Sequence, residues 1–302
     1  MRNVKIATVS FGVEETPVTR KDNIAKARTC VHVARQENCD IILFPEWFLS
    51  FNTEELTNVM KGTDAGGMFK NISEKITGTS VKEISSIARD HSIHVVGSFL
   101  LHDDAGKVSN TALLFDRKGK IAGRYDKYQV NPLEKRKGIN PGKKLPVFKL
   151  DFGTVALMVC NDIYFPEIAR LYAAKGAEIV FWMTMACGPT EHNLETQFKA
   201  RAMDNSVHLA VSNFSYDPPY APYAGRCLLG RACIVNHDGN IIADTGHQPG
   251  IAVATIDLDK KRLGWEITEA DYTDVMKEDI LKQVRFNDYA AEYVNVSRSR
   301  RS

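Results

Sequence analysis

Short apolar runs alternate with helical segments along this chain, and the same order of elements occurs twice. The first half is predicted to contain strands at 4–11, 41–46 and 93–102, helices at 22–36 and 80–91, and a hairpin at 111–125. The second half is predicted to contain strands at 154–160, 177–183, 207–213 and 251–257, helices at 166–175 and 191–205, and a hairpin at 231–244. Strands that alternate with helices are typical of layered α/β proteins, and hairpins among them indicate sheets of mixed direction.

Two halves of this kind predict an α/β fold with four layers. In this α-β-β-α sandwich, two mixed sheets pack face to face and the helices lie outside. No linker rich in Pro, Gly or Ser separates the halves, so residues 1–265 are predicted to form one domain and 266–302 a C-terminal extension. Two longer irregular stretches, at 51–78 and 216–230, are predicted loops long enough to form lids or pocket walls.

The composition argues against several classes of protein. The 302 residues carry 39 basic and 37 acidic side chains, a net charge of +2, whereas nucleic-acid-binding proteins need a basic surface. No apolar stretch approaches membrane-spanning length, and the first residues lack the apolar core of a signal peptide. The six cysteines lack the spacing of zinc sites or disulfide frameworks. We therefore expect a cytoplasmic protein with no metal and no nucleic-acid or membrane partner.

One cysteine stands where a predicted strand ends and a helix begins. Cys160 follows the apolar run 154–159, and Pro166 is suited to the first turn of the next helix. Backbone N–H groups in such a turn stabilise both a thiolate and a developing oxyanion, so the position predicts a nucleophile. The alternative is a buried structural cysteine, which is what most free cysteines are. Partners elsewhere in the chain decide between the two interpretations.

Two other residues have the character of such partners. Glu46 ends the predicted strand 41–46, where burial raises the pKa of a carboxyl group and makes it a proton acceptor near neutrality. A helix cap or a salt bridge is the structural alternative for this residue. Lys127 lies just past the first hairpin, beside tyrosines that are not typical of a surface segment. The loop that follows holds a second carboxylate, Glu134.

Together these segments resemble the nitrilase, or carbon–nitrogen hydrolase, superfamily, which uses a Glu–Lys–Cys triad. The matching motifs are Phe-Pro-Glu at 44–46, Tyr-Asp-Lys at 125–127 and Cys-Asn-Asp-Ile-Tyr-Phe-Pro-Glu at 160–167. Further matches lie at 199–205, 230–239 and 254–259, so the resemblance covers residues 4 to 260. Several motifs in the family's order are far more specific than any one of them.

The resemblance implies a mechanism and a set of roles. Glu46 takes the proton of Cys160, whose sulfur attacks the carbonyl, while Lys127 stabilises the thiolate and then, with the backbone N–H of Asn161, the oxyanion. A thioester forms as ammonia or an amine leaves, and a water activated by Glu46 hydrolyses it. Glu134 resembles a fourth family residue that orients the lysine and the substrate by hydrogen bonds. No metal or organic cofactor is needed.

The substrate is less well determined than the mechanism. The segments around Glu134 and Cys160 look most like N-carbamoyl-amino-acid amidohydrolases, which follow Cys-Asn-Asp with basic residues that bind a substrate carboxylate. This chain has Ile163 and Tyr164 there, so that bidentate recognition is lost. A neutral or amine-bearing amide or ureido compound is therefore at least as consistent with the sequence. The predicted substrate contacts are Asn161, Tyr164, Trp182 and Met183, with core packing as the alternative for the last two.

Other functions use the same residues. Acyl transfer to an amine and nitrile hydrolysis need the same triad, whereas a non-catalytic assembly module would keep only the fold. A papain-like Cys–His enzyme would need a histidine motif, and none is present around Cys160. The resemblance also implies a homodimer or a higher homo-oligomer. The segment 268–293 carries apolar residues at helical spacing and is a candidate for that contact.

Overall fold

The computed structural model describes residues 1–14, 16–61, 68–186, 191–215, 228–260 and 284–299. The chain divides into two compact units, Met1–Lys260 and Lys261–Ser302. The second unit is described through one helix, α8 (Phe286–Ser299). The predicted domain boundary after residue 265 stays a prediction.

The first unit contains twelve strands and seven helices among its described residues. The strands are β1 (Asn3–Gly12), β2 (Ile41–Leu43), β3 (His94–His102), β4 (Val108–Phe115), β5 (Ile121–Asp126), β6 (Val147–Lys149), β7 (Thr154–Val159), β8 (Ile179–Met183), β9 (His208–Ser215), β10 (Cys233–Val235), β11 (Ile241–Asp244) and β12 (Gly250–Asp257). The helices are α1 (Arg20–Gln36), α2 (Glu54–Lys61), α3 (Met68–Ile72), α4 (Thr79–His91), α5 (Pro132–Arg136), α6 (Pro166–Ala174) and α7 (Glu191–Asn205).

The strands form two sheets of six. The first has the order β12-β1-β2-β3-β4-β5 and the second β11-β10-β9-β8-β7-β6. In each, three central strands are parallel and the outer strands antiparallel, so both sheets are mixed as predicted. A short parallel pairing between β1 and β9, at Ser10 with Asn213, joins the sheets at one end.

Alternation of side chains along each strand separates two hydrophobic cores. In β2, Ile41 and Leu43 enter a core between the sheets, where they join Leu157 and Phe181 of the second sheet. Ile42 points the other way, into a core shared with helices α1 and α4. On the outer face of the second sheet, the Tyr172 hydroxyl of α6 donates to the Leu157 carbonyl at 2.8 Å. The layers therefore follow the order helix, sheet, sheet, helix, and the predicted four-layer sandwich is confirmed.

The structure differs from the predicted elements mainly at their ends. Helix α1 begins at Arg20, two residues before the predicted start, with Thr19 as its cap and Asp22 as the partner of Thr19 in a capping box. Strand β2 ends at Leu43, so Glu46 lies in the turn that follows it. The predicted loop 51–78 contains two helices, α2 and α3. At the start of α2, the Thr53 hydroxyl accepts from the Leu56 N–H, as a capping side chain does. Most of the predicted loop 216–230 lies outside the described residues.

Two expectations concern features outside the sheets. Of the predicted helical segment 268–293, residues 268–283 lie outside the described part, and α8 contains 286–293. Among the described helices, none combines the length and the apolar character needed to cross a bilayer.

Candidate active site

The carboxyl ends of three strands that run in the same direction place the predicted catalytic residues at one edge of the sandwich. Glu46 follows β2, Lys127 follows β5 and Cys160 follows β7, and Glu134 lies on α5 after the first sheet. Glu46, Lys127 and Glu134 are all buried. Residues separated by more than a hundred positions in sequence therefore meet at one site.

Lys127 is the centre of the site. Its ammonium donates to Glu46 Oε1 at 2.9 Å and to Glu134 Oε1 and Oε2 at 2.9 and 2.7 Å. The flanking backbone is also held, because the Lys127 N–H donates to the Asn110 carbonyl and its own carbonyl accepts from Gly142, each at 2.8 Å. The side chain has no exposed surface, so the two carboxylates replace water as its partners.

Glu134 is held at the start of its short helix. Asn131 caps α5, accepting from the Glu134 N–H at 2.9 Å, while the Glu134 carboxylate accepts from the Asn131 N–H at 3.0 Å. This reciprocal capping box fixes the backbone and the side chain together. One carboxylate thus both caps the helix and neutralises part of the Lys127 charge.

Cys160 begins a one-turn 3-10 helix, Cys160–Tyr164, with a backbone φ of +46°. A residue other than glycine is rarely found in this left-handed region, so the conformation is strained and must be held by its surroundings. The Trp182 indole contributes, since its Nε1–H donates to the Cys160 carbonyl at 3.1 Å. The first N–H groups of a helical turn lack helical partners, and the Asn161 N–H is among them.

The Cys160 thiol lies beside the Glu46 carboxylate, close enough for Glu46 to act on the pKa of the thiol. Burial first, and then the negative charge of Glu46, raise the pKa of this thiol well above its ordinary value, although Lys127 acts in the opposite direction. The resting cysteine is therefore a thiol, and a base is required to ionise it. Glu46 is the carboxylate beside the thiol, and it is the predicted base.

The two other groups of the triad are also shifted in pKa. Burial raises the pKa of Glu46 above the usual 4.5, against the opposing charge of Lys127. Burial alone would lower the pKa of Lys127, but Cys160, when it is ionised, and the carboxylates of Glu46 and Glu134 raise it well above 10.5. Lys127 is consequently a permanent cation at neutral pH, whereas Glu46 is poised to exchange a proton.

Asp162 ties the cysteine turn to the lysine segment. Its buried carboxylate accepts from the N–H groups of Val159 and Gln129, both at 2.8 Å, and from the Tyr125 hydroxyl at 2.7 Å. Burial raises the pKa of Asp162 to about 6. The Asn161 side chain adds a further link, donating to the Gln129 carbonyl at 3.1 Å.

The structure places the four predicted substrate contacts in different environments. Asn161 is half-buried beside Cys160, and Tyr164 at the end of the same turn is 51% exposed. Trp182 is buried beneath the turn and packs against Phe198 of α7, with ring centroids 6.4 Å apart. Met183 lies in the core between the sheets, because side chains alternate along β8, and this position argues against a substrate contact.

Ile163 does not take the place of a substrate ligand either. Its side chain is buried, and its carbonyl accepts from Arg201 Nε at 3.1 Å. This hydrogen bond gives Arg201 a structural role, since it ties α7 to the cysteine turn.

Sequence reasoning missed two polar residues of the site, Asn110 and Asp162. Asn110 lies inside strand β4, where asparagine is disfavoured, and that mismatch was the available signal. Asp162 stands two residues after Cys160 in the matched motif, but nothing in the sequence showed that its carboxylate faces the lysine segment. Among the described residues, no group of three or more His, Cys, Asp or Glu side chains is arranged to hold a metal ion.

Comparison with known proteins defines the class to which this fold and site belong. The chain belongs to the carbon–nitrogen hydrolase family, whose sequence model matches residues 5–263. This match confirms the predicted superfamily and the predicted class of enzyme, a carbon–nitrogen hydrolase.

The similar proteins identified by sequence and by structure are amidases. Omega-amidase NIT2 from Danio rerio is 28% identical over 269 residues, which cover 85% of this chain and 90% of that protein. Omega-amidase NIT2 from Homo sapiens is 26% identical over 271 residues, covering 86% and 91%. A mutant amidase from Nesterenkonia sp. AN1, of the nitrilase superfamily, superposes with a TM-score of 0.74 at 22% identity, covering 95% of this chain and 97% of that one. The last comparison confirms the fold.

Proposed function

We propose that this protein hydrolyses a linear, non-peptide amide through a thioester on Cys160, and releases ammonia or an amine. The observation that carries the proposal is the buried Lys127 ammonium, which contacts both Glu46 and Glu134, while the Cys160 thiol lies beside Glu46. A base, a fixed cation and a nucleophile thus meet where the carboxyl ends of β2, β5 and β7 come together. This combination suits attack on an unreactive carbonyl.

The first half of the reaction forms the acyl-enzyme. Glu46 takes the thiol proton as the sulfur of Cys160 attacks the carbonyl carbon. The oxyanion is held by the Lys127 ammonium and the Asn161 N–H, which provide positive charge where negative charge develops. When the carbon–nitrogen bond breaks, Glu46 returns the proton to the leaving nitrogen, and a thioester remains.

The second half regenerates the enzyme. Glu46 deprotonates a water molecule, which attacks the thioester carbon and forms a second oxyanion at the same position. Collapse of this intermediate breaks the carbon–sulfur bond, and the proton held by Glu46 returns to the sulfur. The sum is an amide and water converted to a carboxylic acid and ammonia or an amine, so no further reactant is needed.

Amides are favoured over ureido compounds because the relatives with curated functions are named omega-amidases, and the superposed Nesterenkonia structures include one with butyramide. Variants of that amidase carry the acetamide moiety of fluoroacetamide on the active-site cysteine. The exposed Tyr164, at a position where carbamoyl hydrolases carry a basic residue, supports a substrate without a carboxylate beside the scissile group. We further propose that the enzyme works as a homo-oligomer in the cytoplasm.

Replacement of Cys160 tests the proposal. The protein is incubated with amides, ureido compounds and nitriles, and ammonia release and intact mass are recorded. We expect ammonia release from amides by the wild type and none by Cys160→Ala, because the substitution removes the sulfur that forms the thioester. Glu46→Gln is expected to form the acyl adduct on Cys160 slowly and then to retain it, since Glu46 is the base both for the thiol and for the water.

Cys30→Ala is the matched control, because Cys30 is a half-buried cysteine on α1, outside the site. It is expected to hydrolyse amides at the wild-type rate. Full activity of Cys160→Ala would overturn the mechanism. A wild type that is inert on the whole panel would favour a non-catalytic module of the same fold.

A further inference from the structure

Asn110 makes contacts that are unusual for a buried asparagine in a strand. Its Nδ2 donates to Glu46 Oε1 at 2.7 Å and to Glu134 Oε1 at 3.0 Å, and the residue has no exposed surface. Most side-chain hydrogen bonds in proteins go to backbone groups or water. In Asn110 the two hydrogens of one amide reach two carboxylates that both contact Lys127.

The orientation of this amide is itself determined by a neighbour. Asn110 Oδ1 accepts from the Ser98 hydroxyl at 2.8 Å, and the Ser98 oxygen accepts from the Trp47 N–H at 3.3 Å. If the amide were reversed, its oxygen would face both carboxylates and its nitrogen would face a hydroxyl. Ser98 therefore connects the backbone next to Glu46 with the amide that holds the Glu46 side chain.

The contacts of Glu46 show what this amide achieves. Oε1 of Glu46 accepts from both Asn110 and Lys127, so its acceptor positions are filled by two donors. The carboxylate cannot rotate about its terminal bond without losing one of them. Oε2 is thereby left as the oxygen that meets the thiol proton.

We propose that Asn110 is a positioning residue for the hydrolysis: it holds Glu46 and Glu134 beside the Lys127 ammonium, so that Glu46 presents Oε2 to Cys160. The inference rests on the proposed function, because it assigns Glu46 as the base. Asn110 does not touch the reacting atoms and acts through Glu46.

Loss of this amide has a directional effect on proton transfer. A hydrogen bond to an ionised carboxylate favours the charged form, so its removal makes Glu46 harder to ionise. The other charged or titratable groups that face Glu46 are Lys127, Glu134 and Cys160, and they are unchanged in an Asn110 variant. A reaction that needs ionised Glu46 slows as the pH falls through the pKa of Glu46, and we call this low-pH part of its rate profile the acidic limb. The acidic limb should therefore move to higher pH when Asn110 is replaced.

The experiment measures alkylation of Cys160 by iodoacetamide against pH, with peptide mass spectrometry to assign the modified cysteine. For Asn110→Ala we expect the acidic limb to move up by about one pH unit, so that labelling on that limb is about tenfold slower. Where an amide substrate is turned over, kcat should fall on the same limb while KM stays within about twofold.

Thr111→Val is the matched control. Thr111 is the next residue of β4, is equally buried, and its hydroxyl donates to Asp126 Oδ1 at 2.7 Å without touching either carboxylate. It should show the wild-type pH limb even if it loses some stability. If the shift came from a general weakening of β4, the acidic limb would move in both variants alike.

A folded Asn110→Ala protein with the wild-type limb would overturn the inference. If that variant does not fold, Ser98→Ala decides, because it keeps Asn110 and removes the hydroxyl that orients the amide, together with the contact of that hydroxyl to the Trp47 N–H. For Ser98→Ala we expect the acidic limb to move in the same direction by a smaller amount. An unchanged limb in this variant would also overturn the inference. Labelling needs no turnover, so failure to hydrolyse any amide would overturn the proposed function separately.

Discussion

The molecule contains two clusters of similar composition that differ in burial. In the first, which we propose to be catalytic and call the catalytic cluster, Lys127 contacts Glu46 and Glu134. Their side chains are 2% and 4% exposed, while Lys127 itself is not exposed at all. At the opposite ends of the strands, Arg117 contacts Asp40 at 2.8 Å and Asp151 at 2.7 Å. These three side chains are 30%, 31% and 54% exposed.

Burial makes the same kinds of groups behave in opposite ways. In the catalytic cluster, removal from water dominates and raises the pKa of Glu46. Partial burial also acts to raise the pKa of Asp151, but hydrogen bonds from Arg117 and His94 outweigh it and hold that pKa below 3.8. The buried carboxylate is ready to exchange a proton, whereas the exposed one is a stable anion. One cation with two carboxylates is therefore not in itself a catalytic arrangement.

The largest expected difference between the clusters is in activity. Glu46→Gln removes the base and is expected to lower kcat/KM by about 10²- to 10⁴-fold. Asp151→Asn, the same exchange of carboxylate for amide in the Arg117 cluster, is expected to stay within about twofold of wild type because it lies far from Cys160. Steady-state ammonia release measures both. A comparable loss in Asp151→Asn would show that the clusters are coupled.

Removal of the cation should separate the clusters in stability. Lys127→Met leaves two buried carboxylates without their cation and is expected to lower the free energy of unfolding by about 3–5 kcal/mol. Arg117→Met, in the partly exposed cluster, is expected to lower it by about 1 kcal/mol or less, since water solvates the remaining charges. Urea unfolding at pH 7 compares the two variants. Equal losses would show that burial does not set the difference between the clusters.

The smallest expected effect is the pH dependence of the exposed cluster. Because the pKa of folded Asp151 lies below 3.8, its contribution to stability is present above that value and disappears as the pH falls through the folded pKa. Wild type should therefore exceed Asp151→Asn in unfolding free energy by up to about 1 kcal/mol at pH 6, given the exposure of the site. Urea unfolding at pH 6 and pH 3 should show this gap closing. A constant gap would mean that packing, not charge, sustains it.

Much of the fold and the triad was predictable because each has a local signature. Hydrophobic periodicity predicted the order of strands and helices, and motifs of a few residues marked Glu46, Lys127 and Cys160. The ends of elements were less predictable, as Thr19 and Asp22 show, since either residue type can cap a helix. Asn110 was not predicted because its role depends on Glu46 and Glu134, which are 64 and 24 residues away in sequence.

The sequence by itself determined the layered fold, the chemical groups of the site and their family, because these depend on patterns within short segments. Only the tertiary structure decided the state of those groups. Burial and contacts between distant segments keep Lys127 charged, Cys160 protonated and Glu46 ready to accept a proton. They also place Met183 in the core between the two sheets. A pKa depends on which charges and how much water surround a group, and those surroundings exist only once the two sheets have packed together.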